Sequence, residues 1–185
     1  DQSSYNQFKL AIINGQMRLT QKDNDNAIAV VNSGEFYANA DIYSNKINDY
    51  KTSYEQLAQT FVDKVNEVHM QGSTLLYGGS SSSGIPFFGE LAADGSIVNA
   101  FVNGKMTLNT SILSSSKNIA ASSVAGNDGN GDIATQIAAL SNTKFSELGE
   151  STFTDRYTEI LGVIGMDKVS ADNAIESGGL ITQNL

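Results

Sequence analysis

The chain has 185 residues with 11 basic and 20 acidic side chains, which give a formal net charge of −9 at pH 7. Its basic residues are scattered, so it lacks the surface that binds nucleic-acid phosphates or anionic membranes, and neither is expected as a partner. It has no cysteine and one histidine, which excludes disulfides, cysteine-ligated metals, catalytic thiolates and multi-histidine sites. The phosphate-binding motif G-x-x-x-x-G-K-[ST] does not occur, so the sequence predicts a protein that is not an enzyme and needs no cofactor or metal.

The first 33 residues predict a small β region. Asn14 and Gly15 form the pair favoured in two-residue hairpins, where both turn residues need a positive φ. This pair separates predicted strands at residues 8–13 and 16–20. The other predicted elements of this region are a polar turn, a short strand and a second turn, over residues 21–26, 27–31 and 32–34.

A single long helix is predicted for residues 34–71, ending near Gly72, because the stretch has no proline and no glycine after its first residue. Its apolar residues alternate between spacings of four and three, as in a heptad seam. Lys64 is the one seam position that breaks the pattern, and Val65 beside it is apolar. Such a helix is about 55 Å long and cannot bury its seam on itself, so a rod or bundle is predicted. The seam consists of Phe36, Ala40, Tyr43, Ile47, Tyr50, Tyr54, Leu57, Phe61 and Val68.

The middle of the chain predicts a connector, an apolar plug and a second hairpin. Residues 73–84 are rich in glycine and serine and are expected to be a solvated connector. Residues 85–88 contain the only proline and are expected to close one end of the helical core. Asn103 and Gly104 predict the second hairpin, and residues 114–124 are expected to be irregular or a short strand.

One loop has a spacing that suggests calcium. Asp128, Asn130 and Asp132 alternate as ligands do in calcium loops. An EF-hand that began at Asp128 would need glycine at its sixth position and glutamate at its twelfth, and the chain has neither there. A turn in which Asp132 caps a short helix over residues 133–140 is therefore the preferred interpretation.

A second long helix is predicted for residues 152–176. Thr152 and Asp155 have the spacing of a capping box at its start. The tail, residues 177–185, contains a glycine pair and is expected to be frayed or disordered. The apolar stripe is Phe153, Tyr157, Ile160, Ile164, Ala171 and Ala174, and two interior glycines, which would allow close approach of another helix, are Gly162 and Gly165.

The remaining side chains that suggest binding are interpreted as structural. His69 lies one place past a seam position and is expected to be a partly buried or exposed structural residue. Tyr43, Tyr50 and Tyr54 could form a platform for a sugar or a nucleobase. At seam spacing they are more simply core residues whose hydroxyl groups reach the rim.

The order of these segments is similar to the C-terminal half of the flagellar hook-associated protein 1 family, the hook–filament junction proteins. The resemblance spans about residues 34–165, and its most specific part is the helix that contains Asn66, His69 and Gly72. The segments that carry it are YEQLA, VNEVHMQG, PFF, IAAS and FTDRYTEILGVIG, at residues 54–58, 65–72, 86–88, 119–122 and 153–165.

The resemblance and the seam together predict an α+β fold. The expected architecture is an elongated helical rod or bundle of heptad-patterned helices with a small antiparallel β-hairpin region. Residues 1–33 are expected to be the hairpin part of an outer domain, and residues 34–185 a helical rod domain with a hairpin insertion around residues 85–125. The family's N-terminal half and terminal coiled coil are not in the chain, so a core fragment that cannot polymerise is expected, with the N-terminal half packing on the uncovered seam.

The resemblance also implies a function. It implies a structural subunit of the bacterial flagellum at the hook–filament junction, outside the cell, exported without a cleaved signal peptide. It implies as partners other copies of the protein in a ring, the flagellar hook protein, the adjacent junction protein, and an export chaperone for the full-length protein. The alternative is a coiled-coil adhesin or host-binding surface module that uses the tyrosine-rich helix or the glycine–serine loop.

Overall fold

A computed structural model describes residues 7–31, 34–75 and 80–183. The fold is α+β, as predicted, with long and short helices and small antiparallel sheets. The chain divides into two compact units. The first contains Asp1–Ser53 and Gly162–Leu185, and the second contains Tyr54–Leu161.

The first unit begins with an antiparallel sheet in the strand order β1-β2-β3. Asn14 and Gly15 connect the first two strands with φ angles of 52° and 77°, which confirms the predicted hairpin turn. The third strand was predicted to begin at Ala27 but begins at Asn24, which pairs with Gln21. The prediction of a turn over all of residues 21–26 was therefore wrong, because only residues 22 and 23 form the turn. The strands are β1 Phe8–Ile13, β2 Gln16–Gln21 and β3 Asn24–Ile28.

The predicted long helix forms but contains a π turn. It consists of α1 Gly34–Asp41, the π turn Ile42–Lys46 and α2 Ile47–His69. The backbone N–H of Ile47 donates to the Ile42 carbonyl, five residues earlier, which is the π-turn hydrogen bond. The side-chain amide of Asn48 donates to the Ser44 carbonyl at 2.7 Å. A π turn adds one residue to a turn of helix and shifts the phase of the side chains on either side of it. The seam is therefore interrupted here, a break that its spacing did not predict. Residues 32 and 33 of the predicted turn lie outside the described residues.

The last helix, α5, spans Phe153–Gln183. The Thr152 hydroxyl accepts a hydrogen bond from the Asp155 N–H at 3.1 Å, which confirms the threonine half of the predicted capping box. The expected end at Glu176 and the expected frayed tail were wrong for the described residues up to Gln183. The glycine pair costs about 2 kcal/mol of helix propensity, and each residue added to an existing helix gains a hydrogen bond that offsets such a cost.

The described residues of the second unit form two short hairpins, two short α-helices and three single-turn 3-10 helices. Asn103 and Gly104 form the second hairpin, as predicted, with φ angles of 53° and 75°. The hairpin formed by β4 and β5 was not predicted. Asp132 is the first residue of α4 rather than its cap, and its carboxylate accepts hydrogen bonds from the backbone N–H groups of Ser123 and Ile133. The elements are β4 Glu90–Leu91, β5 Ile97–Val98, β6 Phe101–Val102, β7 Lys105–Met106, α3 Thr110–Ser114 and α4 Asp132–Ala139.

Two apolar clusters form the core of the second unit, and α2 contributes to both. The first cluster consists of Leu57, Phe145, Leu148 and Ile160. The second consists of Val62, Val65, Phe88 and Ala100. Phe88 also packs its ring 6.1 Å from that of Phe61, so the proline-containing segment covers α2, in agreement with its predicted role as a plug.

Candidate functional site

Two buried polar side chains near the end of α2 bind the backbone of two other segments. The Asn66 amide donates to the Phe88 carbonyl at 3.0 Å and accepts from the Phe88 N–H at 2.8 Å. The His69 Nε2 accepts from the Ala120 N–H at 2.8 Å, and its Nδ1 lies 2.8 Å from the Ile85 carbonyl, so Nδ1 carries the proton. Asn66 and His69 are three residues apart and lie on the same side of the helix. We call this pair the backbone clamp.

Gly72 completes the arrangement, because only a residue without a side chain fits where it lies. A Cβ at this position would come within 2.9 Å of the Ala120 Cβ and 3.1 Å of the Ala120 carbonyl oxygen. Directly after it, the Ser73 N–H donates to the Ser122 carbonyl at 2.7 Å. His69 has no exposed surface, so the expectation that it would be partly buried or exposed was wrong. The asparagine, histidine and glycine that carry the family resemblance thus share one physical role in this chain.

We expect Gly72→Ala to destabilise the protein by about 1 to 3 kcal/mol, because the added methyl group overpacks against Ala120. Gly162→Ala is the matched control. A Cβ at Gly162 meets no described atom within 4 Å, and alanine is the better helix former by about 1 kcal/mol. The control should therefore be neutral or stabilising. Urea unfolding of both variants measures the difference, and equal effects would contradict the close contact at Gly72.

The stability of the protein should depend on the charge of His69. Burial lowers the pKa of His69 below its ordinary value of 6.5, against a smaller opposing effect of its bond to Ile85. The unfolded chain therefore binds a proton at a higher pH than the folded protein does. The free energy of unfolding should have its full value above pH 6.5 and fall as the pH drops towards the lowered pKa of the folded state.

Denaturant titrations between about pH 7 and pH 5 measure this loss, in a range where histidine is the side chain that ordinarily titrates. The chain has one histidine, so His69→Gln should unfold with a nearly flat pH dependence over the same range. A slope that is the same in both proteins would assign the effect to other groups.

A different face of the long helical segment is uncovered. Tyr43, Ile47 and Tyr54 belong to the predicted seam, and 41%, 48% and 49% of their surfaces are exposed. The prediction that Tyr43 and Tyr54 are core residues was therefore wrong for this chain. The seam becomes buried at Leu57, where α2 enters the core of the second unit. We call Tyr43 and Ile47, which both lie in the first unit, the open seam.

Helix α5 also exposes apolar side chains in the first unit. Met166, Val169 and Ile175 are more than half exposed, and Ile175 reaches 75%. No described atom lies within 4 Å of a Cβ added at Gly162 or Gly165, so the close helix approach expected at these glycines is not present among the described residues. Single exposed apolar residues are common on protein surfaces, and at 3.6 residues per turn Met166 and Ile175 lie on opposite sides of the helix, so these residues do not form one apolar face.

Within the first unit, Asp167 on α5 binds two residues of the long helical segment. Its carboxylate lies 3.1 Å from the Lys46 ammonium and accepts a hydrogen bond of 2.6 Å from the Tyr50 hydroxyl. The Tyr50 hydroxyl thus reaches a partly buried partner, as expected of a seam tyrosine. The two donors lower the pKa of Asp167, with the hydroxyl as the larger cause.

We expect one tyrosine to lose its proton at an unusually high pH, late in a titration with base. The hydrogen bond to Asp167, with burial and the charge of Asp167 as smaller causes, raises the pKa of Tyr50 from 10.0 to about 12. Absorbance titration of the tyrosinate should show one late step, and this step should move towards the ordinary value in Asp167→Ala. Tyr54→Phe, at an exposed seam position, should leave the late step in place. A late step that survives in Asp167→Ala would contradict the assignment.

The described residues offer little else that could bind a ligand. They contain no group of three or more histidine, cysteine or acidic residues placed to hold a metal ion. Among the same residues, no helix combines the length and apolar character of a membrane span. The first unit has an open groove of about 280 Å³ between β2, β3 and the α1–π-turn segment, with both polar and apolar lining. Arg18, Asp41 and Asn45 are among its polar residues.

Comparison of the chain with protein-family models, curated proteins and solved structures gives no match. The sequence drew attention to Asn66 and His69 only through a resemblance that the comparisons do not test, and their hydrogen bonds could not be read from residue spacing. The open seam was visible in the sequence as an apolar pattern, but the spacing did not indicate which half would be covered.

Proposed function

We propose that this protein is a structural subunit of the bacterial flagellum at the hook–filament junction, acting by self-assembly through helical packing. The observation that supports this most is the open seam. Its residues lie at heptad positions, and between 41% and 48% of their surface is exposed. Burying one large apolar side chain is worth about 1.5 to 3 kcal/mol, so a helix from another subunit would gain substantially by packing there.

The proposal includes the architecture and the partners. The long helical segment and α5 would belong to a rod-like helical domain in the assembled junction, with the hairpins of residues 1–33 and 85–125 outside the rod. Its neighbours would be other copies in the ring, the flagellar hook protein and the adjacent junction protein. The full-length protein would use an export chaperone and reach the cell exterior without a cleaved signal peptide, and it would bind no nucleic acid or membrane.

One observation favours the alternative of an adhesin or host-binding module. Four tyrosines, Tyr37, Tyr43, Tyr54 and Tyr157, are each between 41% and 49% exposed. Tyrosine is enriched at the energetic centres of protein interfaces, because it combines a large apolar area with a polar tip. Exposed tyrosines of this kind would suit a foreign partner as well as another subunit.

Deletion of the gene in the flagellated bacterium that carries it separates the two functions. If the protein joins hook and filament, electron microscopy of the deletion strain should show hooks without filaments, and the gene supplied in trans should restore filaments. Adherence to host cells would be measured with the same strains after shearing off their flagella. Intact filaments in the deletion strain would overturn the proposal, and intact filaments with reduced adherence would favour the adhesin.

A further inference from the structure

The outer edge of strand β1 has no partner strand in the part of the chain that the structure describes. Strand β2 lies on one side of it, and no other described strand pairs with its opposite edge. The Lys22 N–H donates to the Gln7 carbonyl at 2.8 Å, so Gln7 and Lys22 are a hydrogen-bonded pair of the antiparallel ladder between β1 and β2. Because such pairs alternate along antiparallel strands, the backbone N–H and carbonyl groups of Phe8, Leu10 and Ile12 point away from β2. These groups are available to another strand.

The same three residues expose apolar side chains. Phe8, Leu10 and Ile12 alternate along the strand, so their side chains lie on one face of the sheet. Each is about half exposed, with Leu10 at 57%. Sheet edges are usually protected by proline, a bulge or charges, and β1 has only Lys9, which lies on the opposite face. The same stretch of β1 therefore offers an added strand both backbone groups for hydrogen bonds and an apolar surface for packing.

The partner that fits this edge best is a second copy of β1. Strands β1 and β2 have six residues each, longer than the other described strands, and β2 already has neighbours on both sides. If two β1 strands run antiparallel with Leu10 opposite its own counterpart, Phe8 lies opposite Ile12 and Lys9 opposite Ala11. Apolar side chains then face each other and no like charges are opposed, which is the self-complementarity a two-fold interface needs.

We propose that the protein forms a two-fold symmetric dimer in which the β1 strands of two copies pair antiparallel, joining two three-stranded sheets into one. The dimer goes beyond the proposed flagellar function and does not depend on it, because it uses the sheet edge rather than the helices. Each copy has a net charge of −9, so the two copies repel at long range. Added salt should therefore strengthen the dimer.

The symmetry of the pairing allows a charge-swap test at Leu10, which meets itself across the two-fold axis. Sedimentation velocity of the wild-type chain from micromolar to millimolar concentration should show a monomer–dimer equilibrium. Leu10→Lys and Leu10→Asp, each alone, place like charges opposite one another and should raise the dissociation constant about tenfold or more. An equal mixture of the two variants should dimerise again, because opposite charges then meet.

Two further variants test the location of the contact. Ile28→Lys places a charge on β3, at the opposite edge of the sheet, where Ile28 is 45% exposed, and it should dimerise like the wild type. Leu10→Cys should form a disulfide-linked dimer on oxidation, since directly opposed residues are close enough for the bond and the chain has no other cysteine. A wild-type chain that stays monomeric, or a dimer that persists in Leu10→Lys but is lost in Ile28→Lys, would overturn the proposal.

Discussion

Replacing Asn66 with alanine is expected to lower the free energy of unfolding by about 3 kcal/mol. Asn66 is 1% exposed and binds both the N–H and the carbonyl of Phe88. The alanine variant would leave both backbone groups buried without a partner, and each such group costs about 1 to 3 kcal/mol. The loss would also release the segment that packs Phe88 against Phe61, so the second apolar cluster would loosen with it.

The control for Asn66→Ala is Gln59→Ala, on the same helix. Gln59 is exposed, and its amide donates to the Asp63 carboxylate at 2.8 Å. An exposed contact of this kind contributes little, so the control should stay within about 0.5 kcal/mol of the wild type. Chemical denaturation followed by circular dichroism measures both variants. A loss of less than 1 kcal/mol in Asn66→Ala, as an order of magnitude for a single ordinary hydrogen bond, would contradict the role of the clamp.

The second large effect is expected for Leu57→Ala, which should cost about 2 to 5 kcal/mol. Leu57 is 9% exposed and packs with Phe145, Leu148 and Ile160. Truncation would leave a cavity between these side chains, which come from the segment around residues 145–148 and from α5. Phe61→Ala should fall in the same range, because the Phe61 ring lies 5.4 Å from that of Phe153.

Leu113→Ala is the same substitution at an exposed position, since Leu113 on α3 is 65% exposed. Its effect should be within about 0.5 kcal/mol of zero. Thermal and urea unfolding of the variants gives the comparison. An equally small effect in Leu57→Ala would mean that this part of the seam faces solvent and that the first apolar cluster does not stabilise the fold.

Local chemistry was enough to predict several elements of the fold. Both Asn-Gly turns form where the sequence places them, because positive φ at two successive residues is a requirement that few other pairs meet. The cap at Thr152 is equally local, since it needs only a hydroxyl three residues before a free N–H group. Apolar spacing likewise predicted the existence of both long helices.

The π turn could not be predicted from spacing. Residues 42–46 have no glycine or proline, and the apolar positions on either side keep heptad spacing. The turn is held by contacts from distant parts of the chain, since the Ser44 hydroxyl accepts a hydrogen bond from the Met17 N–H and Lys46 pairs with Asp167. Such contacts follow from tertiary structure, and tertiary structure overrides local propensity.

The burial of the backbone clamp could not be predicted from the sequence either. A histidine beside a seam position suggests a rim residue, yet His69 has two backbone partners, Ile85 and Ala120, that lie far along the chain. The sequence signal was present in the spacing of Asn66, His69 and Gly72, but a pattern of residue types does not state which groups they bind. Only the positions of the bound segments explain why each residue type is needed.

The most direct test of the proposed function is a charge placed on the open seam. Ile47→Asp should lower the free energy of unfolding by about 1 kcal/mol and leave the protein folded, because about half of Ile47 is already exposed. If the seam packs against another subunit, electron microscopy should show that cells with this variant have hooks but few attached filaments, while Leu113→Asp cells have normal filaments. A full set of filaments on Ile47→Asp cells, with normal amounts of folded variant, would contradict assembly through the open seam.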